Sequence, residues 1–136
     1  MKNGERQGFE IVTLDGQTAI LASKDIISNV RVGKYGVNIQ NLEQTGVPAI
    51  EQALREKEIV VIDEIGNMQI ASKNFCETVE QALQSNRIVL ATIHIHDHPF
   101  TNTIKVRKDV ELFVITQQNR NRIREKIVNA IQTFNI

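Results

Sequence analysis

The sequence predicts an α/β fold: a three-layer sandwich with helices over a mostly parallel sheet, preceded by an N-terminal β-hairpin. Three observations lead there. Short, apolar, β-branched runs occur at residues 59–62 (IVVI), Ile88–Ile93 (IVLATI) and 110–115 (VELFVI). Such runs suit strands buried on both faces, as parallel strands between helices are. Stretches of helical periodicity alternate with these runs. Near the start, Asp15-Gly16 separates two β-rich segments and favours a positive-φ hairpin turn.

Taken in order, residues 8–14 (GFEIVTL) and 17–23 (QTAILAS) form the two arms of that hairpin, an antiparallel pair. Residues 29–38 (NVRVGKYGVN) are punctuated by glycine and read as a short strand entering a loop. Residues 48–57 (PAIEQALREK) predict a helix with Pro48 in its first turn, where the missing N–H costs nothing. The run 59–62 follows as a strand. Residues 71–84 predict a helix whose stripe is Phe75, Val79 and Leu83, spaced i, i+4, i+8. Ile88–Ile93 and 110–115 are the next two strands. Residues 117–136 predict an amphipathic helix with Ile123, Ile127, Ala130 and Ile131 on one face and Thr116 as its N-cap. There is no repeat, linker or low-complexity segment, so residues 1–136 predict one domain.

Composition bounds the function. The chain has 136 residues, 41% of them hydrophobic, enough for a real core. Its formal net charge is zero and its aromatics are one Tyr and five Phe. Neither the basic excess nor the stacking platform of a nucleic-acid binder is present. The single cysteine, Cys76, has no internal partner, the first residues lack an apolar leader, and no apolar run nears the roughly 18 residues that span a bilayer. A soluble, cytoplasmic chain with no membrane partner is expected.

The strongest chemical signal is the end of the run 59–62, where Asp63 and Glu64 follow directly. A strand of an open α/β sheet that ends in two carboxylates places them at the edge where such sheets bind ligands. In phosphoryl-transfer sites an Asp in this position serves Mg²⁺, which wants hard oxygen ligands, and a following Glu can polarise the attacking water.

Six segments in order sharpen the reading: residues 5–9 (ERQGF), 22–24 (ASK), 33–38 (GKYGVN), 61–67 (VIDEIGN), 91–93 followed by His98-Pro99-Phe100, and 119–122. Together they resemble the thermophilic-type nucleoside-triphosphatases, a family also called nucleotide kinase-related or cancer-related. The resemblance covers nearly the whole chain. It implies a RecA-like P-loop NTPase fold and Mg²⁺-dependent hydrolysis of ATP, GTP and other nucleoside triphosphates. It implies Asp63 as the metal-side carboxylate, Glu64 as the base for water, and Thr92 as a polar sensor of the γ-phosphate. Lys34, Arg120 and Arg122 are the implied contacts to nucleotide.

The sequence departs from the family at one point. Members carry a strand, a GxxGxGKT-like loop and a helix ahead of the segment that starts here at Asn3-Gly4. No G-x-x-x-x-G-K-[ST] occurs in these residues; Gly33-Lys34-Tyr35-Gly36 is nearest and fails the spacing. That loop supplies the backbone cradle for phosphates, so weakened triphosphate affinity is the expectation. A sheet lacking its first strand is expected to re-close, self-associate or take a partner chain, or the sequence is a fragment of a longer product. The alternative function is therefore a non-catalytic remnant or interaction subunit.

Other features have plainer readings. His94, His96 and His98 alternate (IHIHDHP) and would suit zinc only if the strand extended through them; Pro99 argues for a loop. Cys76 sits on an apolar-striped helix and reads as core. Lys105, Arg107 and Lys108 read as solvated surface.

Overall fold

The computed structural model describes residues 5–134, in two compact units, Met1–His96 and Asp97–Ile136. In the first unit β1 (Gly8–Val12) and β2 (Thr18–Ser23) pair antiparallel, with Val12 opposite Thr18. Their connection is longer than the two residues expected. The Thr13 N–H donates to the Gln17 carbonyl at 2.9 Å, closing a loop over residues 14–16. Gly16 takes the positive φ of 96°. Three-residue loops with a left-handed glycine in last place are the next commonest hairpin solution.

The stretch read as a strand entering a loop is a second hairpin. β3 (Arg31–Val32) and β4 (Tyr35–Val37) flank Gly33-Lys34, with Gly33 at φ 58°. β4 also pairs with β2, giving a four-stranded antiparallel sheet ordered β1-β2-β4-β3. Phe9 and Tyr35 meet edge to face across it, their ring centroids 5.1 Å apart.

The next helical run begins well before Pro48. Asn38 caps α1 (Ile39–Asn41), its side chain accepting from the Asn41 N–H at 2.9 Å. α1 continues through a π-helical turn (Leu42–Gly46) into α2 (Val47–Glu56). A helix starting at Pro48 was expected, yet the chain is already helical before it and stays so through Gly46 and Pro48. The wide turn falls immediately ahead of Pro48, the residue with no N–H to continue the regular ladder.

β5 (Ile59–Ile65) and β6 (Ile88–Ile93) pair in parallel, Ile59 opposite Ile88 and Ile62 opposite Ala91. The crossover holds a 3₁₀ turn (Gln69–Ala71) and α3 (Lys73–Gln84). Ser72 is buried and caps α3. Its hydroxyl accepts from the Phe75 N–H at 3.0 Å and donates to Glu43 of the π turn at 2.8 Å. The core of this unit is Leu21, Val37, Leu42, Val47, Ile50, Val60, Ile62, Ile65, Phe75 and Val79. α2 packs on β5 and α3 on α2.

Two expectations about the sheet are corrected. Among the described residues parallel pairing is confined to β5 and β6, so a mostly parallel sheet does not describe their strands. β5 is buried on one face: Val60 and Ile62 are in the core while Val61 between them is 48% exposed. Strand alternation sends neighbouring residues to opposite faces, and here one face is core.

In the second unit α4 (Pro99–Lys105) starts at Pro99, where a strand stop was expected. The His98 side chain caps it, Nδ1 accepting from the Phe100 N–H at 3.1 Å, and Pro99 occupies the first turn, which suits it. Residues 110–115 are not a strand, a correction to the third expected run. Strand character requires a hydrogen-bonded neighbour, and no ladder forms there. α5 (Arg120–Phe134) follows, starting three residues later than expected. Thr116 does serve the turn before it, its hydroxyl accepting from the Asn119 N–H at 3.2 Å. Ile104 and Ile123 are buried. No helix among the described residues is long and apolar enough to cross a membrane.

Candidate functional site

The alternation of β5 decides how its carboxylates are presented. Val60, Ile62 and Ile65 anchor the strand in the core, while Asp63 and Glu64 are exposed at its carboxyl end. The peptide bond between them is cis. The regular register with β6 breaks between Ile62 and Ile65 and resumes with Ile65 opposite Ile93. The His94 N–H then donates to the Ile65 carbonyl at 3.0 Å, holding the two strand ends together beyond the irregularity.

That pairing brings Thr92 to Asp63. The Thr92 hydroxyl donates to Asp63 Oδ1 at 2.6 Å, the length of a bond to a charged acceptor. One carboxylate oxygen is thereby oriented in a residue that remains exposed. Threonine at this site acts on Asp63 directly, a contact that spacing alone does not reveal, because it depends on the register between two strands 29 residues apart.

Glu64 lies over the turn that follows the strand. Its side chain packs so close to Gly66 that a Cβ there would sit 2.8 Å from Glu64 Cδ. The Gly66 N–H donates to Gln69 Oε1 at 3.1 Å and the Ile70 N–H to the Gly66 carbonyl at 3.0 Å, so the turn is closed by side chain and backbone together. Gly66 and Gln69 were not singled out from the sequence. The only signal was a glycine directly after Asp-Glu-Ile.

The expected cations lie on other elements. Lys34 occupies the tip of the β3–β4 hairpin, on the antiparallel sheet, with its ammonium 5.9 Å from the Tyr35 ring. Nearby, Lys24 donates to Glu5 at 2.7 Å and holds that carboxyl below its ordinary value, Lys34 adding to the effect; Glu5 in turn raises Lys24. Arg120 and Arg122 lie in the first turn of α5, in the second unit, and both are exposed.

The histidines do not line a strand face, because β6 ends at Ile93. The His94 and His96 rings meet at 5.1 Å between centroids, and His98 is engaged in capping α4. Among the described residues no three His, Cys, Asp or Glu side chains converge in a metal-holding group. Cys76 is half-buried, its thiol directed at the Ile70 carbonyl at 3.5 Å. Burial pushes the thiol pKa up, with Glu80 and Glu77 adding to the effect, the opposite of what a nucleophile needs.

The sequence model of the NTPase family matches residues 1–128. This chain belongs to that family. It is 44% identical over 131 residues to the nucleoside-triphosphatase THEP1 of Thermotoga sp. (strain RQ2), covering 96% of this chain and 75% of that protein. The crystal structure of THEP1 from Aquifex aeolicus is similar at a TM-score of 0.85 and 40% identity, over 90% of this chain and 75% of that one. The solution structure of a human cancer-related nucleoside triphosphatase is similar at a TM-score of 0.78 and 33% identity, over 97% and 77% of the two chains. The family thus agrees with the resemblance drawn from the ordered motifs, and the fold agrees with it as an α/β arrangement with a mixed sheet.

Membership suggests a divalent metal. The donor chemistry fits one in a limited way. Asp63 offers a hard carboxylate oxygen beside the one Thr92 holds, and among the described residues no cluster of three His, Cys, Asp or Glu forms a cage there. That is the donor set of an ion held by one or two carboxylates together with waters and substrate phosphates.

Proposed function

We propose that this chain is a nucleoside-triphosphate phosphohydrolase, converting ATP or GTP to the diphosphate and phosphate in a Mg²⁺-dependent reaction. The observation that carries the reading is the oriented carboxylate pair: Asp63, fixed by Thr92, beside Glu64 at the carboxyl end of a parallel strand pair. Asp63 takes the metal-side role, and a bound divalent cation would supply electrostatic stabilisation of charge on the phosphoryl oxygens. Glu64 accepts a hydrogen bond from the attacking water and polarises it. Thr92 keeps Asp63 aimed rather than sensing phosphate alone. Lys34, Arg120 and Arg122 contribute contacts to nucleotide as exposed cations.

No phosphate-gripping glycine loop occurs among these 136 residues, so the proposed carboxylate pair accounts for the chemistry and not for the grip on phosphate. A second reading, an interaction subunit completed by another chain, draws on the half-exposed Val61 face of β5. The two are separated by measuring Mg²⁺-dependent phosphate release from ATP and GTP for the native chain and Glu64→Gln. Release that falls by roughly 10²–10⁴-fold in the variant supports the hydrolase. Equal rates for the two proteins sink it.

A further inference from the structure

We propose that Gly66 and Gln69 are positioning residues that set the side-chain conformation of Glu64. This rests on the reading of Glu64 as the base that polarises water, and it adds the device that holds the base in place.

A glycine after a strand is ordinarily explained by backbone conformation, and that explanation fails here. Among the described glycines, positive φ belongs to Gly16 and Gly33; Gly66 has a backbone that an L residue can adopt. What a side chain at 66 would meet is Glu64. An added Cβ would lie 2.8 Å from Glu64 Cδ, 3.0 Å from Glu64 Cγ and 3.1 Å from Gln69 Oε1. The close approaches at Gly8 and Gly36 are of another kind, since a Cβ there would strike the backbone carbonyls of Ala22 at 2.2 Å and Ile26 at 2.0 Å. Those two glycines serve the fold. At Gly66 the space is taken by the side chain of the candidate base.

Gln69 completes the device. Its Oε1 accepts the Gly66 N–H at 3.1 Å, fixing the turn against which the Glu64 side chain rests. The Glu64 carboxyl therefore lies on a bare Cα, with a hydrogen-bonded turn beneath it. A base must stand within hydrogen-bond reach of its water, and small displacements of a positioned group are costly in rate.

The consequence is unusual for a core-side glycine. In Gly66→Ala the group that must move is the flexible end of Glu64, so the fold tolerates the change and the base does not. The test uses NMR of the intact chain, with three-bond couplings reporting the Glu64 side-chain torsion, alongside MgATP hydrolysis. In the native chain Glu64 shows one dominant rotamer. In Gly66→Ala that rotamer is displaced, amide shifts outside residues 60–70 keep their native values, and kcat falls on the order of tenfold at unchanged KM. Gln69→Ala adds no volume and serves as the second variant; it leaves Glu64 averaged over rotamers, and kcat falls by a smaller factor.

An unchanged Glu64 rotamer in both variants overturns the proposal, as does a native chain in which Glu64 is already rotamer-averaged. A displaced rotamer with native kcat overturns it as well. These outcomes are distinct from failure of the hydrolase reading, which is read from Glu64→Gln alone.

Discussion

The parallel pair β5–β6 and the antiparallel sheet β1-β2-β4-β3 both carry residues expected at a nucleotide site, and they hold them very differently. Asp63 sits at the end of a strand pinned by buried Val60, Ile62 and Ile65, and a side chain from the neighbouring strand fixes one of its oxygens. Lys34 sits on a two-residue turn between short strands, exposed, with a ring 5.9 Å from its ammonium as its nearest aromatic contact. The acids are built in place; the cation is tethered at one end of a flexible stem. Preorganised groups lower barriers, whereas exposed lysines contribute modest, screened attraction.

The comparison breaks first at Asp63. Asp63→Asn removes the carboxylate charge and leaves the Thr92 contact geometrically possible, and kcat for MgATP is expected to fall by about 10²-fold or more, in line with loss of an electrostatic catalytic group. Thr92→Val keeps the volume and removes the donor to Asp63. Loss of such an outer partner typically costs about 10–100-fold in metal affinity or activity, read as a raised Mg²⁺ requirement in steady-state assays. A Mg²⁺ titration identical to the native one would remove Thr92 from the site.

How much of this was legible in the sequence follows from which interactions are local. Ile59-Val-Val-Ile followed by two carboxylates marks both the strand and the candidate site at its end, because burial pattern and charge are adjacent in the chain. The bond from Thr92 to Asp63 and the contact of Glu64 with Gly66 depend on register and turn geometry, which no periodicity encodes. Residues 110–115 have the composition of a strand and lack the partner that would make them one. The converse holds at residues 39–46, where Pro48 marks a helix start in the sequence while the Asn38 cap and the π turn begin the helix earlier.

A smaller effect concerns the joint between π turn and α3. Ser72→Ala removes the α3 cap and the hydroxyl that donates to Glu43, at a cost of about 1 kcal/mol for the cap alone, measured by denaturant unfolding. Hydrolysis at saturating nucleotide stays near native, since neither group touches the carboxylate pair. Lys34→Ala is milder still: a few-fold rise in KM at constant kcat is expected, with the difference shrinking as salt rises.

The smallest effect lies in the second unit. Arg107 donates to Asp109 at 2.7 Å and holds that exposed carboxyl below its ordinary value. A carboxylate with a lowered folded-state pKa adds stability above its unfolded pKa and loses it as pH falls through the folded one. Asp109→Asn is therefore expected to shift the melting temperature slightly at neutral pH and not at all in acid below both values.

The central claim is that the Asp63–Glu64 end of β5 performs chemistry rather than merely binding. Its most direct test is MgATP binding by calorimetry together with single-turnover phosphate release, for the native chain and Glu64→Gln. The account predicts equal dissociation constants and a release rate at least about 10²-fold lower in the variant. Equal release rates, or binding lost along with activity, would contradict it.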